Sequence, residues 1–508
     1  MMNRGRFSVR LLLLLFAFNS ILLYLYFLRS QPPTENPHSQ SLMENRHPQS
    51  PSRNTALKPW PILPSFLPWS HDPSAAAHSC EGYFGNGFSQ RTDLVRPSDG
   101  TGRRGRSTAG WFRCFYSKTL ESSVCEGGPV RMNPDRIRMS AGGEKLEAVI
   151  GRVEEEELPS FEPGAFEMME NQDDGSGKIV SMDFLDEFVP RGAVNLHTMR
   201  GLLGSMRFVD SDEFQCSQWV EDTTILVTRF EYANLFHTIT DWYSAYVSSR
   251  VTGLTARPHL VFVDGHCKSQ LEEMWEALFS SLRYAKNFTG PVCFRHVILS
   301  PLGYETALFK GLTETIDCHG TSAHELRENP DDRKTARLSE FGEMLRASFN
   351  LPVEDQPLQN QESSHNVLFV RREDYLAHPR HGGRVQSRLS NEQEVFDALK
   401  RWAINHSKCK VNLVNGLFAH MAMKEQVHAI QDASVIIGAH GAGLTHIVAA
   451  NSKAVILEII SSLYRRPHFA LISQWRGLKY HAINLEGSHA NPEEVIDKLS
   501  SIIKNLGC

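Results

Sequence analysis

The sequence predicts an α/β protein of two consecutive doubly wound, Rossmann-like units facing a cleft, preceded by a transmembrane helix and a stem. Three observations predict it. Short apolar strands alternate with helical stretches from Thr223 to Leu299, the alternation resumes from Asn366 to Leu506, and an apolar N-terminal run leads into a segment with no sustained period. At 508 residues, more than one ordinary core is expected. A net charge of -5, with 22% charged and 41% hydrophobic residues, lacks the basic excess of a nucleic-acid binder.

Residues 1–10 read as a cytosolic tail and residues 11–28 as a signal-anchor. The run is apolar apart from Asn19 and Ser20, and as a helix it spans roughly 27 Å. Arg4, Arg6 and Arg10 precede it while only Arg29 follows closely, so the short end stays cytosolic and the body is lumenal. Leu28-Arg-Ser-Gln-Pro-Pro offers no small-residue cleavage site, which argues against a removed signal peptide. Residues 29–75, rich in Pro, Ser, Asn and His, form a flexible stem, with Trp60, Phe66 and Trp69 placed to dock on the body. Nine cysteines suit an oxidising lumen, and the odd number leaves at least one outside an intramolecular pair. Asn287-Phe-Thr and Asn405-His-Ser are glycosylation sequons.

The first unit, residues 76–353, opens with a cysteine- and glycine-containing stretch whose acidic run Glu154–Glu157 reads as a solvated helix face. Thr223–Thr228, Leu260–Val263 and His296–Leu299 follow as strands. Ser269 caps a helix, with Glu272 completing a capping box. Glu354–Ser364 has the composition of a linker. In the second unit, residues 365–508, Asn366–Val370, Val411–Val414, Val435–Ile437 and Ala454–Leu457 are strands; Asn391–Ile404 and Lys424–Asp432 are helices. A last helix starts at Asn491-Pro-Glu-Glu and carries one stripe of Val495, Ile496, Leu499, Ile502, Ile503 and Leu506.

The strongest local signal is Gly438-Ala-His-Gly-Ala-Gly-Leu-Thr-His446, directly after a strand. Gly438, Gly441 and Gly443 let the backbone approach a ligand. Amides around Ala442, Leu444 and Thr445 then sit where a helix start can hold a diphosphate, with His440 and His446 beside them. The plainer alternative is a tight turn, which has no use for two histidines. Glu458 ends the next strand, placed either to accept from ribose hydroxyls or simply as an exposed strand-end acid. Arg371 and Arg372 end another strand, with Arg380, His381, Arg384 and Arg388 beyond; guanidinium groups suit phosphate oxygens, although part of such a loop is ordinary solvated charge.

In the first unit, Asn234, His237 and Asp241 recur at i, i+3 and i+7 on one helix face. Asp241 is placed to orient His237, and either could serve as a general base; a satisfied core histidine is the other reading. Asp264 and His266, past a strand end, form a reserve base. Asp331-Asp332 beside Asn329-Pro330 looks like a turn rather than a metal clamp, so no catalytic metal and no cofactor are expected.

Segments Lys58–Pro64, Ser79–Gly87, Trp111–Tyr116, Thr228–His237, Val370–Gly383 and Gly438–His446 together resemble the plant N-glycan-processing members of glycosyltransferase family 61, a likeness running from about Lys58 to Cys508. The resemblance implies a GT-B-like fold and an inverting enzyme of the Golgi membrane, single-pass type II. It implies transfer of xylose from UDP-α-D-xylose to O2 of the β-linked core mannose of N-glycans on glycoproteins. His237 or Asp241 would be the base, and Arg372, His440 and the glycine-run amides would stabilise the departing UDP. Rival readings are a relative adding another sugar to xylan or protein hydroxyls, and an inactive lumenal glycan-binding protein.

Overall fold

The structure is a computed structural model that describes residue 88 and residues 90–508, apart from 97–109, 119, 171–176, 192–197, 255, 314–337, 352–363, 373–387 and 407–408. The predicted anchor, the stem, most of the linker, Asp331-Asp332, Arg380, His381 and Arg384 lie outside these residues. Among the described residues, no helix is long and apolar enough to cross a membrane.

The second half carries a wholly parallel five-stranded sheet. Its strands are β8 (Ser364–Val370), β9 (Lys410–Gly416), β10 (Val435–Ala439), β11 (Val455–Ile460) and β12 (Lys479–Asn484), in the order β9-β8-β10-β11-β12. Central β10 and β11 are buried throughout, so they read as unbroken apolar runs, as parallel strands covered on both faces should. Lys479–Asn484 is not among the expected strands; as an edge strand it mixes polar and apolar residues, mostly half-buried, and carries no strong apolar run.

The first half departs further from the expectation. Its main sheet is mixed, in the order β1-β2-β3-β7-β4-β5-β6. The expected strands are β4 (Thr224–Val227), β5 (His259–Phe262) and β7 (Val297–Leu299), joined by β6 (Ser281–Tyr284) as a parallel core. β1 (Gln90–Val95), β2 (Trp111–Ser117) and β3 (Ser122–Gly128) extend it antiparallel. A second five-stranded sheet, from Arg207–Val209, Phe166–Met169, Val130–Met132, Val292–Phe294 and Gln218–Val220, packs beside it. These strands are three or four residues long and pair across large sequence separations, so no local pattern announces them. Cys114–Cys125 staples β2 to β3 at a directly paired position, Cys216–Cys293 ties the second sheet, and Cys409–Cys508 anchors the C-terminus. Cys267 is the free cysteine among the described residues, and it is buried.

Helix α1 (Leu235–Val251) buries nearly every side chain it presents, as a helix between two packed layers must. One apolar cluster runs from Ile225 and Leu260 of the first sheet through Ile239, Trp242 and Tyr246 of α1 to Leu444, Ile447, Leu368 and Ile436 of the second half. Further helices are α2 (Glu272–Leu278), α3 (Ala307–Thr313), α4 (Leu338–Ser348), α5 (Glu392–Asn405), α6 (Met423–Asp432), α7 (His468–Arg476) and α8 (Pro492–Asn505). α4 lies so close to the 3-10 helix Ala442–Ala449 that a Cβ on Gly342 would stand 2.0 Å from the Val448 carbonyl oxygen. α8 begins at an Asn491 cap and buries Val495, Leu499, Ile502 and Ile503, four of the six residues of the expected stripe, with Ile496 and Leu506 partly buried beside them.

Two local expectations are corrected. Glu157 of the acidic run is fully buried, because it faces His266. Ser269 does not build a capping box: its hydroxyl donates to the Tyr232 carbonyl, and Glu272 is drawn to Arg229 and Tyr284.

Candidate active site

The first side of the site is the N-terminus of α1. Asn234 caps it, its Oδ1 accepting from the Phe236 amide at 3.0 Å, so its side chain is spent on the helix. His237, partly exposed in the first turn, has Nδ1 2.8 Å from the Tyr304 hydroxyl. Its Nε2 has no hydrogen-bond partner among the described residues. Burial, with the nearby His468 charge, pushes the ring down to about 4. Asp241 does not reach His237: Oδ1 accepts from the Gly303 amide at 3.0 Å, while Oδ2 is buried without a partner among the described residues. Burial raises this carboxyl well above the ordinary range, so it tends to hold a proton.

Asp264 and His266 lie deeper. Arg229 meets Asp264 at 2.7 Å and Glu272 at 3.0 Å, all three fully buried. Burial alone would raise the Asp264 carboxyl, but Arg229 and His266 hold it below its usual range. His266 has Nδ1 3.0 Å from Glu157 and Nε2 2.8 Å from the Arg229 carbonyl. Neither nitrogen is open to a substrate, and the group supports the turn beneath α1.

The second side gathers at the C-terminal ends of β8, β10 and β11. His440 directs Nδ1 at Glu458 Oε1, 2.5 Å away, and Tyr480 donates to Glu458 Oε2 at 2.6 Å. Glu458 is fully buried and both its oxygens are used, so it orients His440 instead of facing a ribose. His468, the first residue of α7, lies 5.9 Å from the His440 ring centre and stacks on Phe236 at 5.3 Å. It therefore bridges the two sides. Burial, then His440 and Arg466, lower it to about 4.

Arg372 crosses the glycine run so closely that a Cβ on Gly441 would stand 2.0 Å from its Nη1, so any larger residue there would push the guanidinium off the run. Its backbone amide is held by the Glu392 carboxylate. Arg388 lies over the Tyr464 ring at 3.1 Å, and burial with the charges of Arg372 and Arg466 lowers its guanidinium. Three like charges within electrostatic reach suit a polyanion. Arg371 turns away, to Glu392 and Gln393. Ala442 and Gly443 form the first turn of the 3-10 helix, which offers their amides. Leu444 and Thr445 put their side chains in the core. So does His446: its Nε2 meets Gln426 Oε1 at 2.8 Å, while the Gln426 amide nitrogen donates to the Phe418 and Met421 carbonyls. Burial takes that ring down to about 3.

The family model for Glycosyltransferase 61 matches residues 184–457, just over half of the chain, taking in His237, Arg372 and the glycine run. The chain belongs to glycosyltransferase family 61. A "Beta-1,2-xylosyltransferase" of Arabidopsis thaliana is 56% identical over the whole of both chains. "Beta-1,2-xylosyltransferase RCN11" of Oryza sativa subsp. japonica is 63% identical over 89% of this chain and 84% of its own. More distantly, an "EGF domain-specific O-linked N-acetylglucosamine transferase" of Gallus gallus is 22% identical over 54% of this chain and 47% of its own.

In this family 61 glycosyltransferase, sequence reasoning missed Tyr304, Arg466, His468 and Tyr480. The first three lie just past the C-terminal ends of the parallel strands β7 and β11, the edge where such sheets hold ligands, and that position was the available signal. Tyr480 near the start of β12 gave none. Among the described residues, one cluster has metal-ligand spacing, His406, Cys409 and Cys508, and the disulfide between the two cysteines consumes both thiolates. Asn287 and Asn405 are both exposed.

Proposed function

We propose that this family 61 enzyme moves xylose from UDP-α-D-xylose to O2 of the β-linked core mannose of N-glycans, with inversion. The similarity to two β-1,2-xylosyltransferases, one over the whole of both chains and one over most of each, carries this reading. The site geometry supports its chemistry. His237, neutral near pH 6 because burial depresses it, takes the acceptor hydroxyl proton on Nε2. The hydroxyl oxygen forms its bond to the sugar C1 as the bond from C1 to the phosphate oxygen breaks, and UDP leaves with the electron pair. Arg372, Arg388, Arg466, His440 and the amides of Ala442 and Gly443 receive the charge that develops on the diphosphate. Fixed cations of this kind make a catalytic metal unnecessary.

Two strand sets meeting at His237, His468 and His440 fit a GT-B-like cleft, the acceptor on the α1 side and the donor on the glycine-run side. The apolar run 11–28 and its flanking arginines fit a type II anchor in the Golgi membrane with a lumenal body. Incubating the purified chain with UDP-xylose, UDP-arabinose or UDP-N-acetylglucosamine and a defined N-glycan tests the proposal by mass spectrometry. A single pentose added from UDP-xylose, linked β-1,2 to the core mannose, is the expected product. Transfer only from another donor, or glycan binding without transfer, would contradict it.

A further inference from the structure

His237 is the half of the site whose proton inventory is undecided by charge. His440 and His266 each present Nδ1 to a carboxylate, Glu458 and Glu157 respectively. His237 presents Nδ1 to a phenol. A carboxylate can only accept, whereas a phenol can donate or accept, and the two choices have opposite consequences. If Tyr304 donates to Nδ1, the ring proton sits on Nε2 and that nitrogen cannot take another from an acceptor. If Tyr304 accepts from Nδ1–H, the Nε2 lone pair is open.

We infer that Tyr304 is a positioning residue that accepts from Nδ1–H of His237 and so keeps Nε2 unprotonated, and that Asp241 acts through it by holding the Gly303 amide. The inference rests on His237 being the base. Tyr304 sits in the 3-10 turn Gly303–Glu305, and that turn is fixed from several directions. Asp241 Oδ1 accepts from the Gly303 amide, the Thr306 hydroxyl donates to the Gly303 carbonyl at 2.6 Å, and Glu305 pairs with Lys310 at 3.0 Å. The space beside Gly303 is closed as well: a Cβ there would stand 2.4 Å from the Thr240 hydroxyl and 2.5 Å from Asp241 Oδ1. The Tyr304 ring is clamped between Phe309, at 4.3 Å, and Phe230, at 4.8 Å. Its hydroxyl therefore has little freedom to leave Nδ1. Burial, with Asp241 and Glu231 nearby, raises the phenol, so it keeps its proton and remains a neutral partner. A neutral partner does not stabilise the imidazolium as a carboxylate would, which leaves the ring weakly basic and favours proton removal in step with departure of UDP.

The relation between Asp241 and His237 is thus not a dyad but a relay through one turn of backbone. Its chemistry needs the acceptor oxygen of Asp241 and not its charge, and this separates it from a catalytic carboxylate.

Tyr304→Phe keeps the ring packing and removes only the oxygen. In the purified chain labelled with 15N-histidine, the His237 signals, assigned by their loss in His237→Ala, should move from the Nδ1–H pattern towards Nε2–H. The kcat should fall by about tenfold or more while KM for UDP-xylose stays put. Asp241→Asn, which keeps Oδ1, should recover most of the kcat that Asp241→Ala loses. Wild-type tautomer and kcat in Tyr304→Phe would overturn the inference, and Asp241→Asn as slow as Asp241→Ala would overturn the part assigned to Asp241. If His237→Ala turns over normally, the base reading fails by itself, and the tautomer spectrum still reports whether Tyr304 places the proton.

Discussion

Replacing Glu458 by Gln removes one charge and almost no volume from the donor side. The carboxylate is fully buried, 2.5 Å from His440 Nδ1, with Tyr480 donating to its other oxygen at 2.6 Å. A hydrogen bond to a charged group contributes roughly 1.5–3 kcal/mol. Each 1.4 kcal/mol or so is tenfold in affinity, so full loss would weaken UDP binding by on the order of 10–100-fold. Gln can still accept from Nδ1–H through Oε1, which places the expected loss near tenfold. Its amide nitrogen then meets the Tyr480 hydroxyl, which can turn from donor to acceptor, so the local fold should survive. Titration calorimetry with uridine, UMP and UDP separates the possible roles. UDP should lose about tenfold, and uridine should bind as before, because Glu458 faces His440 and not a ribose. Equal losses for uridine and UDP would refute this reasoning and return the carboxylate to the ribose. Unchanged affinity for all three would remove Glu458 and His440 from donor binding.

Two further outcomes follow from the site. His237 and His468 are held down to about 4 and His446 to about 3, chiefly by burial, against an ordinary 6.5. As the pH falls through 6.5, the unfolded chain takes up protons on these rings while the folded chain does not. Stability present above pH 6.5 is therefore lost progressively towards about 4. The Tm should fall across that window, and the acid limb of kcat/KM should lie well below pH 6.5; a flat Tm, or an acid limb at 6.5, would contradict the burial account. Chelation should leave turnover intact, so loss in EDTA with recovery on adding manganese would contradict a donor site run on arginines and His440.

The sequence made the parallel cores legible because a strand buried on both faces is a continuous apolar run, as in Val435–Ala439 and Val455–Ile460. It hid the antiparallel extension and the second sheet, whose short strands owe their existence to partners far along the chain. The glycine run showed where a phosphate could approach, but not that Arg372 would lie on Gly441. The spacing of His237 and Asp241 placed both on one helix without showing what each would touch. Helical spacing fixes a direction, whereas the partner of His237 came from a turn 67 positions away. Glu458 is expected at a strand end, facing a ribose or solvent, but β11 runs on to Ile460 and buries it, and Tyr480 and His440 occupy both its oxygens. The acidic run at Glu154–Glu157 shows the same limit: charge pattern gives the usual fate of a carboxylate, and Glu157 escapes it through one buried histidine.

The central claim is that the two sides divide the labour, with base chemistry at His237 and diphosphate binding at His440 and the arginines. His237→Ala tests it most directly when turnover and UDP affinity are measured on the same preparation. The account predicts kcat lower by roughly two or more orders of magnitude, with the Kd for UDP within a factor of about three. Near-normal turnover in that variant would contradict it.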